Sequence, residues 1–371
     1  MSNLGAPQVK FTFKTPLDVT GLLSLHMIAQ SFFVGDITPA LYDQRLAEGW
    51  FRDSMMMYRS DLVVMQSELF EVVHIRFNAR DFEPRKSQRR VMRRVEERFR
   101  VEVKKPQITE QHNQLYLAQI NRFRGFIHPK LEDILFRSES DLIQVYELSL
   151  YDGDRLIAAS YFDTGEKSMA SLLCLHDPEY AQYSLGYYTM LREMHWGQNN
   201  SKEWYYPGYI FDLPSEFDYK LRLGVPQTMV EPGEWVDGVI RKGHTGSGER
   251  IRSASAVMES FLSSRKISFR KRYYPYFAAV RMMNLHQQMF SLPVFYEIMD
   301  GEVRYGACFD PLSNMYFLHR LEDAREFHSM ISMPLSAEYL NNLIYETRLL
   351  KVTSTVPVFP GGSGHSVSEA V

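Results

Sequence analysis

Residues 145–175 constrain the fold more than any other stretch. Val145 to Phe162 reads as a hairpin: Val-Tyr-Glu-Leu-Ser-Leu-Tyr, a turn at Asp152-Gly153, then Arg-Leu-Ile-Ala-Ala-Ser-Tyr-Phe. Met169 to Leu175 follows as a third strand and is almost wholly apolar. A strand without polar alternation is buried on both faces, so layers must cover the sheet above and below. Asp177-Pro178-Glu179 then opens a helix, with Asp as N-cap, Pro at the first helical position and Glu in the first turn. That helix is expected to run to about Gln198, and Trp204 to Tyr209 to form a short aromatic strand.

Two antiparallel strands, a buried third strand, a helix and a further strand form the core order of the acetyltransferase-like (GNAT) architecture. The expected class is therefore α/β in the α+β sense: a mixed sheet with flanking helices. Ahead of it, Leu41 to Gly49 reads as a helix ended by glycine. Leu69 to Phe77 alternates as a strand leading into a basic helix, and Gln107–Gly125 reads as a second helix with Thr109 near its cap. The character changes around residue 236. Arg241 to Gly248 is a glycine-rich polar loop, and no Lys-Ser/Thr follows its last glycine, so it is a linker rather than a P-loop. Residues 250–350 offer helices, a basic cluster at Arg265–Arg272 and a hairpin around Asp300-Gly301. The tail from Pro360 to Val371 is small and polar and expected to be disordered. The chain divides into 1–105, an N-terminal subdomain carrying the basic helix, 106–235, the mixed-sheet domain, and 236–371, a C-terminal extension of unknown role.

With 371 residues and 45% hydrophobic content, the chain can bury two or three domains. No apolar run reaches membrane-spanning length, and the start has neither the charged nor the apolar region of a signal peptide, so a cytoplasmic protein without a membrane partner is expected. The two cysteines, Cys174 and Cys308, lie in apolar, strand-like runs and read as buried inert thiols. They exclude a disulfide framework and a four-cysteine metal site, and no metal or cofactor is expected.

The basic helix carries the first functional signal. Wound from Arg85, it spreads Arg85, Lys86, Arg89, Arg90, Arg93 and Arg94 over one broad face and sets Val91, Met92, Val95 and Phe99 on the other. The net charge of the whole chain is -3, so the positive density is local. A focused patch of this kind suits a polyanion such as tRNA. The competing reading is a solvated face, with Glu96 and Glu97 pairing with Arg93 and Arg100.

Several motifs in order resemble the arginyl-tRNA–protein transferase family, including its bacterial leucyl-tRNA–protein transferase branch. Leu41-Tyr42-Asp43 through Gly49-Trp50-Phe51-Arg52 is similar to its Y-x-x-L-x-x-x-G-W-R opening. Phe82-x-Pro84-x-x-Ser87-Gln88-Arg89-Arg90 is similar to its F-x-P-S-x-S-Q-R-R helix start. Tyr146-Glu147-Leu148 with Asp152-Gly153 and Leu156-Ile157-Ala158 resembles its hairpin. Asp177-Pro178, Ser184-Leu185-Gly186-x-Tyr188 and Leu191-Arg192-Glu193 resemble its next helix, and Tyr206-x-Gly208-Tyr209 with Tyr219-Lys220 its close. The set covers roughly residues 40–235. The chain departs from the family's N-terminal cysteine cluster: after Tyr58-Arg59-Ser60 stand Asp61-Leu62-Val63-Val64-Met65.

The resemblance implies transfer of an amino acid, arginine or leucine, from aminoacyl-tRNA to the N-terminal amine of an acceptor protein, marking it for degradation. The donor ester is already activated, and an α-amino group of pKa about 7.7–8.0 is partly neutral at physiological pH. Placement and oxyanion stabilisation can then carry the rate without a covalent intermediate. Arg85, Lys86, Ser87, Gln88, Arg89 and Arg90 would hold tRNA phosphates or an acidic acceptor side chain. Ser184, Leu185, Gly186 and Tyr219 would also bind substrate, Gly186 by allowing close approach. Catalytic roles fall on His176 and Asp177, to orient the amine or take its proton, and on Tyr209 and Lys220. The alternatives are tight helix–strand packing at Gly186, a core tyrosine at 209 and a plain helix cap at Asp177. Two whole-protein alternatives stay open: a non-catalytic tRNA- or protein-binding relative, and an acyl-CoA N-acyltransferase, against which stands the lack of a glycine-rich loop before the helix at 178.

Overall fold

The computed structural model describes residues 29–33, 37–122, 126–135, 143–241, 246–327 and 334–360. The expected disordered tail, from residue 361 on, the middle of the 241–248 loop and most of the first 40 residues fall outside them.

The described residues begin with β1 (Ala29–Phe33), α1 (Pro39–Ala47), β2 (Phe51–Asp53) and β3 (Met56–Ser60), the strands forming an antiparallel sheet in the order β1-β3-β2. Thr38 caps α1 by accepting from the Leu41 amide at 3.2 Å, and Gly49 at φ +84° turns the chain out of it. The opening motif is a docking device. The Tyr42 hydroxyl donates to Asp163 at 3.2 Å, and Arg52 grips the same carboxylate through Nε at 2.5 Å and Nη2 at 3.1 Å. The Asp43 carboxylate accepts from the Lys167 and Ser168 amides at 2.8 and 3.0 Å. Asp163 and Ser168 belong to the main sheet and Lys167 to the turn between their strands, so this small layer is bolted to the sheet. A buried, doubly held carboxylate is costly to break because removing either partner strands a charge.

The main sheet is mixed. It comprises β4 (Leu62–Met65), β5 (Glu68–Asn78), β6 (Arg100–Lys104), β7 (Gln144–Asp152), β8 (Arg155–Thr164), β9 (Ser168–His176), β10 (Trp204–Tyr206), β11 (Tyr209–Phe211), β12 (Gln227–Glu231) and β13 (Glu234–Asp237). Its main path runs β13-β12-β5-β10-β9-β8-β7-β6, with β4 and β11 also paired to β5. The expected hairpin is β7–β8, turning at Gly153 with φ +61°. Among these pairs, only β9 with β10 is parallel, and α5 (Leu185–Asn199) lies between them in the chain. Helices cover both faces, as the apolar third strand requires. On one side α2 (Lys86–Glu96) and α5 pack Met92, Val95, Tyr188 and Leu191 onto Leu148, Ile157 and Phe162. On the other, α3 (Glu110–Gln119) and α4 (Leu131–Leu135) pack Leu115, Tyr116 and Leu131 onto Leu156, Ala159 and Leu175.

Three elements differ from expectation. The helix opening at Pro178 is two helices. A 3-10 segment, Pro178–Tyr183, ends where Ser184 takes the left-handed conformation at φ +54°, and the Ser184 carbonyl then accepts from Tyr187 and Tyr188 to start α5. Ser184-Leu185-Gly186 is therefore a helix N-terminus, not a helix interior. The helix expected over 107–125 is α3 plus a 3-10 turn at Ile120–Arg122; its last part, 123–125, lies outside the described residues. The aromatic strand 204–209 is split at Pro207-Gly208, with Gly208 at φ +92°.

The C-terminal part adds α6 (Ser247–Ser264) and an antiparallel sheet ordered β14 (Arg270–Tyr273), β15 (Val294–Asp300), β16 (Val303–Asp310), β17 (Met315–Asp323), β18 (Leu350–Val358). Its core is continuous with β4 and β5, where Leu62, Val64 and Leu69 meet Tyr274, Phe290 and Phe295. Of positions 62–65, aliphatic or Met where the resembled family has cysteines, Leu62, Val64 and Met65 are buried in packed cores and Val63 is half-buried.

Gln88 fixes the basic helix. It is buried, its amide donating to the Leu223 carbonyl at 2.9 Å, the Arg222 carbonyl at 3.1 Å and the Tyr187 hydroxyl at 3.2 Å, while its oxygen accepts from the Arg85 amide at 2.7 Å. Leucine at this position takes the side-chain partner from the Leu223 carbonyl and the Arg85 amide, while the Arg222 carbonyl keeps the Tyr187 hydroxyl at 2.9 Å. Gln88→Leu is expected to lower stability by about 1–3 kcal/mol, read as a reduced urea midpoint; an unchanged midpoint would show that water takes over the bonds.

Candidate active site

β10 runs beside β9 for three pairs, Trp204 with Ser168, Tyr205 with Met169 and Tyr206 with Ala170. Pro207-Gly208 then swings the chain away, and β11 pairs with β5 through Tyr209–His74 and its neighbours. β9 continues to His176. The sheet splays there, and Ser171 to Cys174 become only half-buried although the strand around them is closed. Continuous double burial, expected from the apolar run, stops where the partner strand leaves.

Two hollows with shared walls lie at the splay. The larger, about 580 Å³, is lined by Leu172, Leu173 and His176 from β9, by Tyr209, Glu216, Phe217 and Tyr219, by Tyr116, Gln119 and Arg122 from α3 and its 3-10 extension, and by His128. Val63, Met65, Phe126, Ile127, Ile134 and Tyr339 close its apolar walls. The smaller, about 200 Å³, shares Leu172, Tyr209 and Phe217 and reaches Ser171, Gly208 and Lys220.

Lys220 is 7% exposed. Its Nζ donates to the Tyr209 carbonyl at 2.8 Å and lies 4.8 Å over the Phe217 ring. No carboxylate pairs with it among the described residues, and burial pushes its pKa down to about 7. A Cβ on Gly208 would lie 3.2 Å from that nitrogen, which is why the turn needs glycine twice over. Tyr209 stacks on Phe217 at 5.7 Å and meets Phe51 edge-on at 5.5 Å, so one face of its ring is already taken. Tyr219 is 43% exposed on the cavity wall.

His176 ends β9 with its Nδ1 buried and unbonded among the described residues. Burial, helped by Arg122, holds its pKa below the usual histidine value, so it stays neutral. Gly186 faces it across the splay: a Cβ there would lie 3.9 Å from His176 Nδ1 and 4.0 Å from Cys174 Sγ. As the first residues of α5, Leu185 and Gly186 have amides with no intrahelical acceptor. Ser184 is exposed beside them, whereas Leu185 is core, 1% exposed. Cys174 is half-buried rather than fully so; burial raises its thiol pKa to about 11, and Thr189 Oγ1 lies 3.3 Å away. It is inert as a nucleophile.

Asp177 points elsewhere. Oδ1 accepts from the Glu179 amide at 2.9 Å and Oδ2 from Arg155 at 2.5 Å, so it is a cap and an ion-pair partner, and it does not line the cavity. Arg85, Lys86, Ser87, Arg89 and Arg90 are exposed on α2, outside the cleft. The surface-pairing alternative accounts for little of that face: Arg93 meets Glu97 at 3.7 Å, Glu96 meets Arg192, and Arg100 meets Glu102. His176, Tyr209 and Tyr219 thus line the larger hollow, Tyr209 and Lys220 the smaller, and Gly186 lies beside His176, whereas Asp177, Leu185 and Gln88 line neither. The 3-10 helix Glu216–Leu223 joins the two regions. Tyr219 and Lys220 face the cleft, while Arg222 and Leu223 are held by Gln88 under the basic helix.

Two features had no sequence signal strong enough to find them. His128 and Asp53 are bonded, Nε2 lying 2.9 and 3.0 Å from the two carboxylate oxygens, and are brought to the cleft from segments 75 residues apart. Glu193 is fully buried under the splay, accepting from Ser160 at 2.5 Å and Tyr205 at 2.7 Å, and burial raises its pKa to about 7. Its place in the Leu191-Arg192-Glu193 motif was the one available hint.

Residues 97–230 match the family model described as "Arginine-tRNA-protein transferase, C terminus". An aspartate/glutamate leucyltransferase of Vibrio cholerae is 29% identical over 197 residues, 52% of this chain and 82% of that protein. Those of a Shewanella species and of Campylobacter jejuni are 25% and 21% identical, over 82% and 79% of their lengths. Among solved structures, L-PGS from Bacillus licheniformis aligns with 63% of this chain at TM-score 0.32 and 13% identity, a likeness too slight to speak for the fold.

Lys220 gives the site a measurable signature. An unfolded lysine titrates near 10.4 and the folded one near 7. Above pH 7 the unfolded state therefore binds more protons, and stability rises with pH. The unfolding free energy of the wild type minus that of Lys220→Met should climb between pH 7 and 9, by up to about 1.4 kcal/mol per unit. A flat difference over that range would contradict a buried, uncompensated ammonium.

Proposed function

Because this chain belongs to the arginyl/leucyl-tRNA–protein transferase family and is an enzyme of it, we propose that it transfers leucine from leucyl-tRNA to the N-terminal amine of proteins beginning with Asp or Glu. The observation that carries leucine over arginine is the lining of the larger hollow. Val63, Met65, Ile134, Leu172, Leu173 and Phe217 offer an apolar chamber with one carboxylate in the wall, Glu216. An arginine side chain there would leave its five donors largely unpaired, whereas leucine loses only its contact with water. The relatives' names support the same donor and the same acceptors. The modified N-terminus then marks the acceptor for degradation, as the family resemblance implies.

In this reading the exposed arginines of α2 hold phosphates of the tRNA acceptor arm, and the 3′ end reaches the splay past the Glu216–Leu223 helix. The acceptor amine attacks the ester carbonyl and the ribose oxygen departs. Neutral His176 takes the proton that the amine loses and returns it to the leaving oxygen. The ammonium of Lys220, with the Leu185 and Gly186 amides, stabilises the oxyanion. Alignment of amine and ester is the main source of rate, and no covalent enzyme intermediate forms. The splayed sheet with α5 at its mouth supports an acetyltransferase-like core that takes β4, β5 and β6 from the expected 1–105 subdomain, which also carries the tRNA-binding helix, with 236–371 buttressing β4 and β5.

The test is direct. Radiolabelled leucyl- and arginyl-tRNA are each offered with peptides beginning Asp, Glu, Arg or Lys. Label from leucyl-tRNA on the Asp and Glu peptides is expected; label from arginyl-tRNA alone would reverse the donor assignment, and none from either would remove the reading. For the tRNA surface, Arg89→Ala/Arg90→Ala should weaken tRNA binding and flatten its log–log salt dependence by about two units, roughly one for each phosphate left unneutralised. An unchanged slope would move the tRNA elsewhere.

A further inference from the structure

We infer that Arg122 and His128, with Asp53 behind the histidine, form the subsite that recognises the acidic side chain of the acceptor's first residue. This rests on the proposed transfer and assigns the acceptor half of the same cavity.

The two cations share the wall of the larger hollow with His176, Tyr209 and Tyr219. Arg122 is exposed there and has no carboxylate partner among the described residues. His128 is held firmly. The amide of its neighbour Ile127 donates to the Pro334 carbonyl at 2.9 Å, its own carbonyl accepts from Tyr116 at 2.6 Å, and its Nε2 sits between both oxygens of Asp53. Asp53 itself stands at the end of β2, and the next amide, Ser54, donates to the Ile134 carbonyl at 3.2 Å. The second ring nitrogen, Nδ1, has no partner among the described residues. A histidine whose Nε2 is committed to a carboxylate can donate from Nδ1 only when the ring is charged.

The charges divide the work. Asp53 cancels the charge of protonated His128, so His128 offers a directed N–H and Arg122 the net positive charge. Together they present a fork and a single donor to one carboxylate. Glu216, whose Oε1 accepts from Gln66 at 3.2 Å, lines the same hollow and repels a carboxylate while drawing an ammonium. An acceptor beginning with Asp or Glu carries both groups on one residue, and the hollow offers a site for each.

This arrangement makes acceptor choice sensitive to pH in a calculable direction. The groups facing His128 are Asp53 from the end of β2, Asp133 from α4, Tyr116 from α3, and Arg122 and His176 in the cavity. The bond to Asp53 raises the histidine's pKa above its usual value, with Asp133 adding to the rise and burial opposing it. The charged ring is lost as pH rises through that raised value, and preference for an acidic over an amide side chain should fall with it. The carboxylate beside the Asp amine raises its pKa relative to that of Asn, so the amine's own titration is removed by comparing the ratio in the wild type with that in Arg122→Gln/His128→Gln.

The experiment compares peptides beginning Asp and Asn in the intact protein, by transfer from leucyl-tRNA and, separately, by equilibrium binding without donor. The wild type is expected to favour Asp. Arg122→Gln/His128→Gln should weaken equilibrium binding of the Asp peptide roughly ten- to hundredfold and leave binding of the Asn peptide and of tRNA near wild type. Asp53→Asn should shift the pH at which the preference is lost to lower values. An Asp-to-Asn ratio unchanged in both variants overturns the subsite, as does equal binding of the two peptides by the wild type. Failure of transfer with every donor, alongside discriminating binding that the double variant abolishes, would overturn the proposed reaction and keep the subsite.

Discussion

The turn at Pro207-Gly208 governs the architecture of the cleft. Up to Tyr206 the chain lies between β9 and β5; beyond the turn it leaves β9 and keeps only β5. Separating two strands in mid-sheet leaves backbone groups and apolar side chains facing a gap, and something must occupy it. Here the occupant is Lys220, whose ammonium bonds to the Tyr209 carbonyl just past the turn. The cation is a poor filler on energetic grounds, since burial costs it much of its affinity for a proton. A leucine would close the gap more cheaply. Retaining a lysine where packing argues against it is the kind of local conflict that marks a working site.

The residues around that gap were legible in the sequence to different degrees, for physical reasons. The β7–β8 hairpin follows from local chemistry, a glycine turn between alternating runs, and its position is as expected. Tyr209, Tyr219, Lys220 and His176 line two adjoining hollows because they sit at or just beyond the ends of strands that were themselves readable. The break at Ser184 was not readable: a serine carries no left-handed preference comparable to glycine, and its conformation is imposed by packing Tyr183 and Leu185 into one core. The five-stranded C-terminal sheet was seen only at its Asp300-Gly301 hairpin, since its other pairings join segments with weaker turn signals or far apart in the chain.

Motif residues also proved to be of two kinds. Tyr42, Asp43 and Arg52 look like ligands when read in a line, yet all three are used up fastening the N-terminal layer to the β8–β9 region. Gln88 stands among five exposed polar or basic residues and is itself buried, tying the basic helix to the segment that carries Lys220. Sequence shows that a side chain can hydrogen-bond; only the fold decides whether its partner is the protein or a ligand. The same logic explains why His128 escaped notice. A lone histidine after Gly125-Phe126-Ile127 is unremarkable until Asp53 and Tyr116 are seen to hold it.

Two histidines in one cavity biased in opposite directions bear on how such a site can work at neutral pH. Burial and Arg122 keep His176 uncharged, while Asp53 keeps His128 inclined to charge. Arg122 has two effects: it suppresses the proton on His176 and adds to the positive field offered to a carboxylate. Binding an acidic side chain beside Arg122 would screen that suppression and raise the basicity of His176 as the acceptor arrives. Recognition of the correct N-terminus and readiness to accept its proton would then be coupled through one guanidinium, so an acceptor lacking the carboxylate meets a weaker base as well as a poorer fit.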